Sequence, residues 1–343
     1  MYFEQIANGP CLSYVIGCEA TGSAIVIDPV VDIVDRYLTT AAQHGLHIRY
    51  VLDTHTHADH FSGARELARR TGAAAIMHCS SAAPFIDMRV DDGETILVGK
   101  LCLLVRYTPG HTSDAICLVM SDRIITGDTL LIGGTGRTDL PTGDPDKLYD
   151  SLFGHLLKLD PALKIYPAHD YHGRSVSTLG EEIAHNPRLQ KRERAAFIAQ
   201  MRALDLEMPR HLTEALRTNR SGGKPDSQLI SEAAGKVPFM TMEEVRERLA
   251  SDASDILLLD VREREAYSAS HIPGAMHIPR GQLELRVNDE LTDPTRRIVC
   301  YCEYGKISTL AAATLRDLGY TRAVALHGGF DAWKKAGYPE EKR

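Results

Sequence analysis

Residues 54–60 read THTHADH and crowd His55, His57, Asp59 and His60 into one short stretch. Three further ligand-type side chains fall where an apolar run gives way to a turn. They are His111 in PGHTSD, Asp128 in TGDTLL and His169 in YPAHDYHG. A single histidine is ordinarily a satisfied or solvated side chain, and Gly-Asp alone is a turn. Four such places, each after an apolar run, point instead to a metal centre. Imidazole and carboxylate donors without thiolate suit Zn(II), Fe(II) or Mn(II). These residues alone leave open which metal, how many ions and which substrate.

A second constellation lies far along the chain in VCYCEYGKIS, residues 299–308. Cys302 follows an apolar run and precedes a helical pattern beginning near Ser308. Gly305 allows a tight loop between them. Backbone N–H groups of such a loop converge into an anion-binding nest, and the helix N-terminus adds partial positive charge. A thiolate held there can accept a sulfur atom and keep the resulting persulfide anion. Cys300, inside the apolar run, reads as a buried structural thiol.

Both constellations need elements to hold them. CLSYVIGC and SAIVIDPV read as strands closed by Gly and Pro, and IRYVLDTH is a buried strand that runs into the histidine cluster. VVDIVDRYLTTAAQHG has helical spacing, and SGARELARRTG is a helix with Ser62 as N-cap and Gly72 as its stop. LCLLVRYTPGH, DAICLVM and RIITGD are further strands. Residues from about Ser175 to Leu216 are charged and helical. NRSGGKPDSQ, residues 219–228, reads as the linker. Beyond it strands alternate with helices: Thr241 and Glu244 form a capping box, DILLLDVR, RRIVCYC and AVAL are strands, and STLAAATLRDLG and GFDAWKKAG are helices.

Composition narrows the class. The 343 residues suit two domains. A formal net charge of −7 argues against a nucleic-acid or anionic-membrane binder. No apolar run is long enough for a membrane span, and MYFEQIANGP is neither a signal nor a transit peptide. Seven scattered cysteines, without a C-x-x-C pair, suit a reducing compartment, so a cytoplasmic location is expected.

The H-x-H-x-D-H signature with His111, Asp128 and His169 resembles the metallo-β-lactamase superfamily over about residues 1–215. That implies an αββα sandwich with its site at one end. GDTLLIGGTGRTDLPTGD (127–144) and YPAHDYHGRSVSTLGEEIAHNPRL (166–189) are similar to the persulfide dioxygenase branch. The resemblance implies one non-haem Fe(II) on His55, His111 and Asp128, a two-His-one-carboxylate face with open positions. His57, Asp59, His60 and His169 would then be outer residues or an empty second metal site. The implied substrates are glutathione persulfide and O2, and the products sulfite and glutathione. Arg137, Tyr171 and Arg188 occupy the family's motif positions for glutathione. Arg188 is expected on a carboxylate, and Arg137 is expected to shape and charge the pocket, against a competing internal salt bridge with Asp139 or Asp144. Thr135 stands where this family often has cysteine.

With DVREREAY (260–267), SHIPGAMHIP (270–279) and HGGFDAWKKAGYP (327–339), the second half resembles a single rhodanese domain. It implies a sulfurtransferase with Cys302 as persulfide carrier and Gly305 and Lys306 in its loop. Ile307 departs from the family's Arg or Thr and cannot donate to an oxyanion. Asp260 and Arg262 are expected to hold the loop from beneath. The chain therefore reads as an α/β protein, a metallo-β-lactamase sandwich (1–218), a linker (219–235) and a small parallel α/β rhodanese domain (236–343). Thiosulfate and sulfite are the expected partners of the second domain, and a homodimer is one expectation for assembly. The alternative is a zinc-dependent hydroxyacylglutathione-type thioester hydrolase with an accessory rhodanese domain.

Overall fold

The computed structural model describes residues 1–174, 176–209, 211–251 and 255–342. The chain divides into two compact units at Gly223/Lys224.

The first unit holds two six-stranded sheets. The first comprises β1 (Tyr2–Asn8), β2 (Cys11–Cys18), β3 (Ser23–Ile27), β4 (His47–Leu52), β5 (Ala74–His78) and β6 (Met88–Val90), in that order. The second comprises β7 (Thr95–Val98), β8 (Leu101–Tyr107), β9 (Ile116–Val119), β10 (Arg123–Gly127), β11 (Lys164–Pro167) and β12 (Ser177–Thr178), in order β12-β11-β10-β9-β8-β7. Strand side chains alternate between faces, and that alternation builds three apolar layers. Tyr14, Ile16, Ile25 and Leu52 meet Leu103, Val105, Leu118 and Ile125 between the sheets. Val15, Val26 and Val51 face outward onto Val34, Tyr37 and Leu67 of the helices Val34–Gln43 and Ala64–Thr71. Cys117, Ile124 and Ile165 pack against Leu148, Leu179, Phe197 and Met201 on the other side. The unit is the expected αββα sandwich. Strands β1, β5, β6, β7, β11 and β12 add to those read from sequence. Of the edge strands among them, β6, β7 and β12 have two to four residues, and a strand that short depends on its neighbour's hydrogen bonds, whereas β1 has seven.

The second unit is a five-stranded, wholly parallel sheet of order β13-β17-β16-β14-β15. Its strands are β13 (Phe239–Met240), β14 (Ile256–Asp260), β15 (Met276–His277), β16 (Arg297–Tyr301) and β17 (Val324–Leu326). Apolar clusters cover both of its faces, as a parallel sheet requires. Thr241 and Glu244 form the expected capping box.

The division of the units at Gly223/Lys224 falls inside the stretch 219–228 read as the linker, but that stretch is partly helical. Helix Leu212–Ser221 runs through Asn219 to a left-handed Gly222, and Asp226–Ala234 is a second helix. Gly and Ser disfavour helices intrinsically, but Ala215, Thr218 and Asn219 are buried, and packing overrides the weak propensity term.

Candidate functional sites

All seven ligand-type residues of the first unit lie in loops that leave strand ends: four after β4, His111 between β8 and β9, Asp128 after β10 and His169 after β11. The structure divides them into three groups. His55, His111 and Asp128 converge, with one ligand atom from each within 4.8 Å of the others, and all three are buried. Asp128 Oδ2 lies 3.8 Å from His55 Nε2 and 3.5 Å from His111 Nε2.

Hydrogen bonds on the far side of each ring set the tautomers. His111 Nδ1 is 2.8 Å from the Arg137 carbonyl, which can only accept. His55 Nδ1 is 3.0 Å from Thr54 Oγ1, whose own proton goes to Asp28. Both rings therefore carry hydrogen on Nδ1 and aim the Nε2 lone pair at the Asp128 carboxylate. His55 Nε2 is buried and has no hydrogen-bond partner among the described residues. Two lone pairs and a carboxylate facing one another without a shared proton repel, and a cation removes the repulsion. Burial, with the nearby His57, holds the His55 imidazole down at about 3 against the pull of Asp128. His55 thus stays neutral, as a ligand must be.

His169 bridges two carboxylates: Nδ1 is 2.8 Å from Asp128 and Nε2 is 2.7 Å from Asp59. Burial opposes a charge on this ring, but Asp128 and Asp59 outweigh it and raise its pKa well above the usual value. His60 joins Asp59 at 3.3 Å, and Cys11 Sγ lies 3.7 Å from His60 and 3.8 Å from Asp59. His57 turns elsewhere, to Asp28 at 3.2 Å.

Sequence reading missed several residues of this region. Asp28, just past β3 and at φ +49°, accepts from the Thr54 N–H and hydroxyl and fixes the start of the histidine loop. Asp114 accepts from the N–H and hydroxyl of Thr56 and from Thr112. Asp28 follows an apolar run and Asp114 precedes one, and that signal was available. Asn219 gave no such signal. Its amide donates to the carbonyls of His57 and His60, and its oxygen accepts from Ser62 N–H. One buried side chain from helix Leu212–Ser221 thereby clasps the whole ligand loop. Asn219→Ala should strand these backbone groups, at a cost of about 1–3 kcal/mol for an unsatisfied buried partner. Urea unfolding should show the lower midpoint, and metal titration a weaker affinity. A wild-type midpoint and affinity would remove Asn219 from the site.

The glycine at 136 is a matter of space. A Cβ there would run into the Asp128 carbonyl and the His111 ring. Arg137 meets Asp139 through two donors at 2.6 and 2.7 Å and reaches the Leu206 and Glu207 carbonyls. Its charge is thus matched inside the chain, as the competing reading held. Tyr171 is exposed and lies parallel to His169 at 6.0 Å between ring centres. Arg188 is half-buried, and its Nη1 is buried without a hydrogen-bond partner among the described residues.

In the second unit, Cys302 follows β16 and is buried. Its Sγ accepts from Ser308 N–H at 3.3 Å, in the first turn of helix Lys306–Asp317. Gly305, at φ +85°, turns the chain into that helix. The N–H groups of Tyr304, Gly305, Lys306 and Ile307 donate no hydrogen bond to other described residues, which leaves them to an incoming anion. The loop is held from behind. Phe330 N–H bonds the Cys302 carbonyl at 2.8 Å and Asp331 N–H the Glu303 carbonyl at 3.0 Å. Gly329 makes this approach possible, since a Cβ there would stand 2.6 Å from the Cys302 oxygen. Arg262 spans Asp260, the Ser270 carbonyl and Glu303, beside the Phe330 ring at 4.2 Å. Lys306 and Ile307 are exposed at the mouth.

Fold and sites together define a metal-binding αββα unit joined to a parallel α/β unit with a cysteine loop. Residues 6–169 match the metallo-beta-lactamase superfamily and residues 241–336 the rhodanese-like domain. The persulfide dioxygenase ETHE1, mitochondrial, of Homo sapiens is 36% identical over 214 residues, 62% of this chain and 84% of that protein. The crystal structure of ETHE1 from Myxococcus xanthus is 40% identical with a TM-score of 0.64, covering 65% of this chain and all of that one. A metallo-beta-lactamase structure from Staphylococcus aureus covers 95% of this chain and 98% of its own, at 25% identity and a TM-score of 0.62. The chain belongs to the metallo-beta-lactamase superfamily and, within it, to the family of ETHE1 persulfide dioxygenases, with a rhodanese-like domain at its C-terminal end. No helix among the described residues is long and apolar enough to cross a membrane.

Proposed function

We propose that the chain oxidises glutathione persulfide with O2 to sulfite and glutathione in its first unit, and moves sulfur between thiosulfate and glutathione through Cys302 in its second. The observation that carries the first half is the convergence of two Nε2 lone pairs and the Asp128 carboxylate. His55, His111 and Asp128 would hold one Fe(II), leaving positions for solvent or substrate. Iron bound there supplies the redox capacity and the open coordination positions that joining sulfur to oxygen needs.

The remaining roles belong to the chain's own side chains. Thr54 and the Arg137 carbonyl keep both imidazoles in the ligand tautomer. The protonated His169 holds Asp128 and Asp59 in place. Glutathione carries two carboxylates, and the unpaired Nη1 of Arg188 supports its assignment to one of them. Arg137, already neutralised by Asp139, contributes the shape of the pocket, and Tyr171 lines its mouth. In the second unit, the free N–H groups of residues 304–307 support an anionic persulfide on Cys302, with Lys306 the loop's own cation. Sulfur transfer from thiosulfate releases sulfite and leaves the persulfide on Cys302, and glutathione thiolate then removes the outer sulfur.

Metal analysis with oxygen-uptake measurement tests the reading: purified chain with about one iron per site should consume O2 on addition of glutathione persulfide. Two zinc ions per chain, thioester hydrolysis and no O2 uptake would establish the hydrolase alternative. That alternative draws on a hydroxyacylglutathione hydrolase of Anaeromyxobacter dehalogenans, 38% identical over 153 residues but covered over only 59% of its length. Arg188→Ala should raise KM for glutathione persulfide about tenfold to a hundredfold with a smaller change in kcat, the loss of a contact worth about 1.5–3 kcal/mol. An unchanged KM would remove Arg188 from the pocket.

A further inference from the structure

A third group of ligand-type side chains lies on the outer edge of the first sheet, apart from both sites. β5 ends at His78, Cys79 follows it, and Asp91 follows β6. The two strands pair in parallel with His78 opposite Val90, so their ends arrive side by side. His78 Nε2 lies 3.4 Å from Asp91 Oδ1 and 3.8 Å from Cys79 Sγ. One ligand atom from each of the three falls within 4.8 Å of the others.

The imidazole is built in rather than draped on the surface. His78 is 3% exposed and stacks on Tyr107, with ring centres 4.0 Å apart and planes 2° from parallel. Ser80 N–H donates to Nδ1 at 3.2 Å and its hydroxyl lies 2.7 Å from the same atom, so the resting ring carries its proton on Nε2, which faces Asp91 and Cys79 and would give that proton up to a cation. A hydroxyl both donates and accepts, so Ser80 can take up a proton on Nδ1 when a cation claims Nε2. Cys79 and Asp91 are exposed, which opens an entry path and a place for water.

One thiolate, one imidazole and one carboxylate suit Zn(II). Tetrahedral zinc with bonds of about 2.0–2.3 Å separates its ligand atoms by roughly 3.3–3.6 Å. The observed 3.4 Å fits, and the exposed thiol, now 3.8 Å from Nε2 and 4.0 Å from Nδ1, must swing from beside the ring toward Nε2. We propose that His78, Cys79 and Asp91 form a surface site for Zn(II), with water as the fourth ligand. It is separate from the metal centre of His55, His111 and Asp128 and independent of which reaction that centre performs.

Cobalt(II) titration of the full, iron-loaded chain tests this. Cobalt at the site should give a thiolate-to-metal charge-transfer band in the near ultraviolet that added zinc abolishes, and zinc should raise the melting temperature. Cys79→Ser should lose the band and the zinc-dependent rise, while keeping its melting temperature without added metal because Cys79 is exposed. Asp91→Asn should weaken zinc binding about tenfold or more, as loss of a ligand or its support does. Cys302→Ser and Cys11→Ser should keep the band. A band that survives in Cys79→Ser, or that disappears in Cys11→Ser, overturns the proposal. So does a wild-type chain that gives no thiolate band.

Discussion

Asp128→Ala should strip the first unit of its metal and abolish oxygen uptake on glutathione persulfide, while sulfur transfer through Cys302 continues at the wild-type rate. Asp128 is the sole anion among the three converging groups, so without it two neutral imidazoles face a cation with no charge to balance it. Its second contact adds to the loss. The His169 imidazolium is held between Asp128 and Asp59, and it would keep only one of its two carboxylates. Removing one partner from a buried pair costs about 3–5 kcal/mol. Asp128→Asn separates the two effects, because it keeps the size of the side chain and a hydrogen bond while removing the charge. Both variants should elute without stoichiometric iron, measured by mass spectrometry of the metal. A variant at 128 that retains full iron and full oxygen uptake would sink the assignment.

Cys302→Ser should do the reverse. The loop supplies an amide nest and a helix N-terminus, but only sulfur can carry sulfur, and a hydroxyl forms no persulfide. Transfer between thiosulfate and glutathione, followed by sulfite release, should fall to the uncatalysed rate. Oxygen uptake on supplied glutathione persulfide and iron content should stay at wild-type levels, because His55, His111 and Asp128 all belong to the first unit and Cys302 to the second. The Asp128→Ala, Cys302→Ser double variant should then lose both activities with no interaction between the losses, as independent sites do. Loss of oxygen uptake in Cys302→Ser at normal iron content would mean that the two sites are coupled.

Much of this chemistry was legible because it resides in short segments. A histidine cluster at the end of an apolar run, and a cysteine between a buried strand and a helix, are local arrangements that a linear reading captures. The capping box at Thr241 and Glu244 is local too. In the stretch 219–228 the turn signal coincides with the division of the units at Gly223/Lys224, but it does not reveal that Asn219 lies in a helix. Glycine, serine and proline carry a turn signal there, and a reading of neighbours alone has no access to the burial that keeps Asn219 helical. Apart from the seven-residue β1, the strands missed in the first unit have two to five residues, too few for a periodicity to register alone.

The sequence by itself determined the donor inventory, the order of the two units, the family and the thiol that can carry sulfur. These follow from side-chain chemistry and from spacing along the chain. Only the tertiary structure decided how the seven ligand-type residues divide. His55, His111 and Asp128 come together from three different loops, His57 turns to Asp28, and His169 locks Asp59 to Asp128. It also decided that Arg137 pairs with Asp139 while Arg188 keeps a buried donor without a partner among the described residues. Tautomer, pairing and burial depend on groups up to 162 residues away, as with Asn219 on the His57 carbonyl. Such contacts exist only once two sheets have packed and their strand ends have been brought to a common edge.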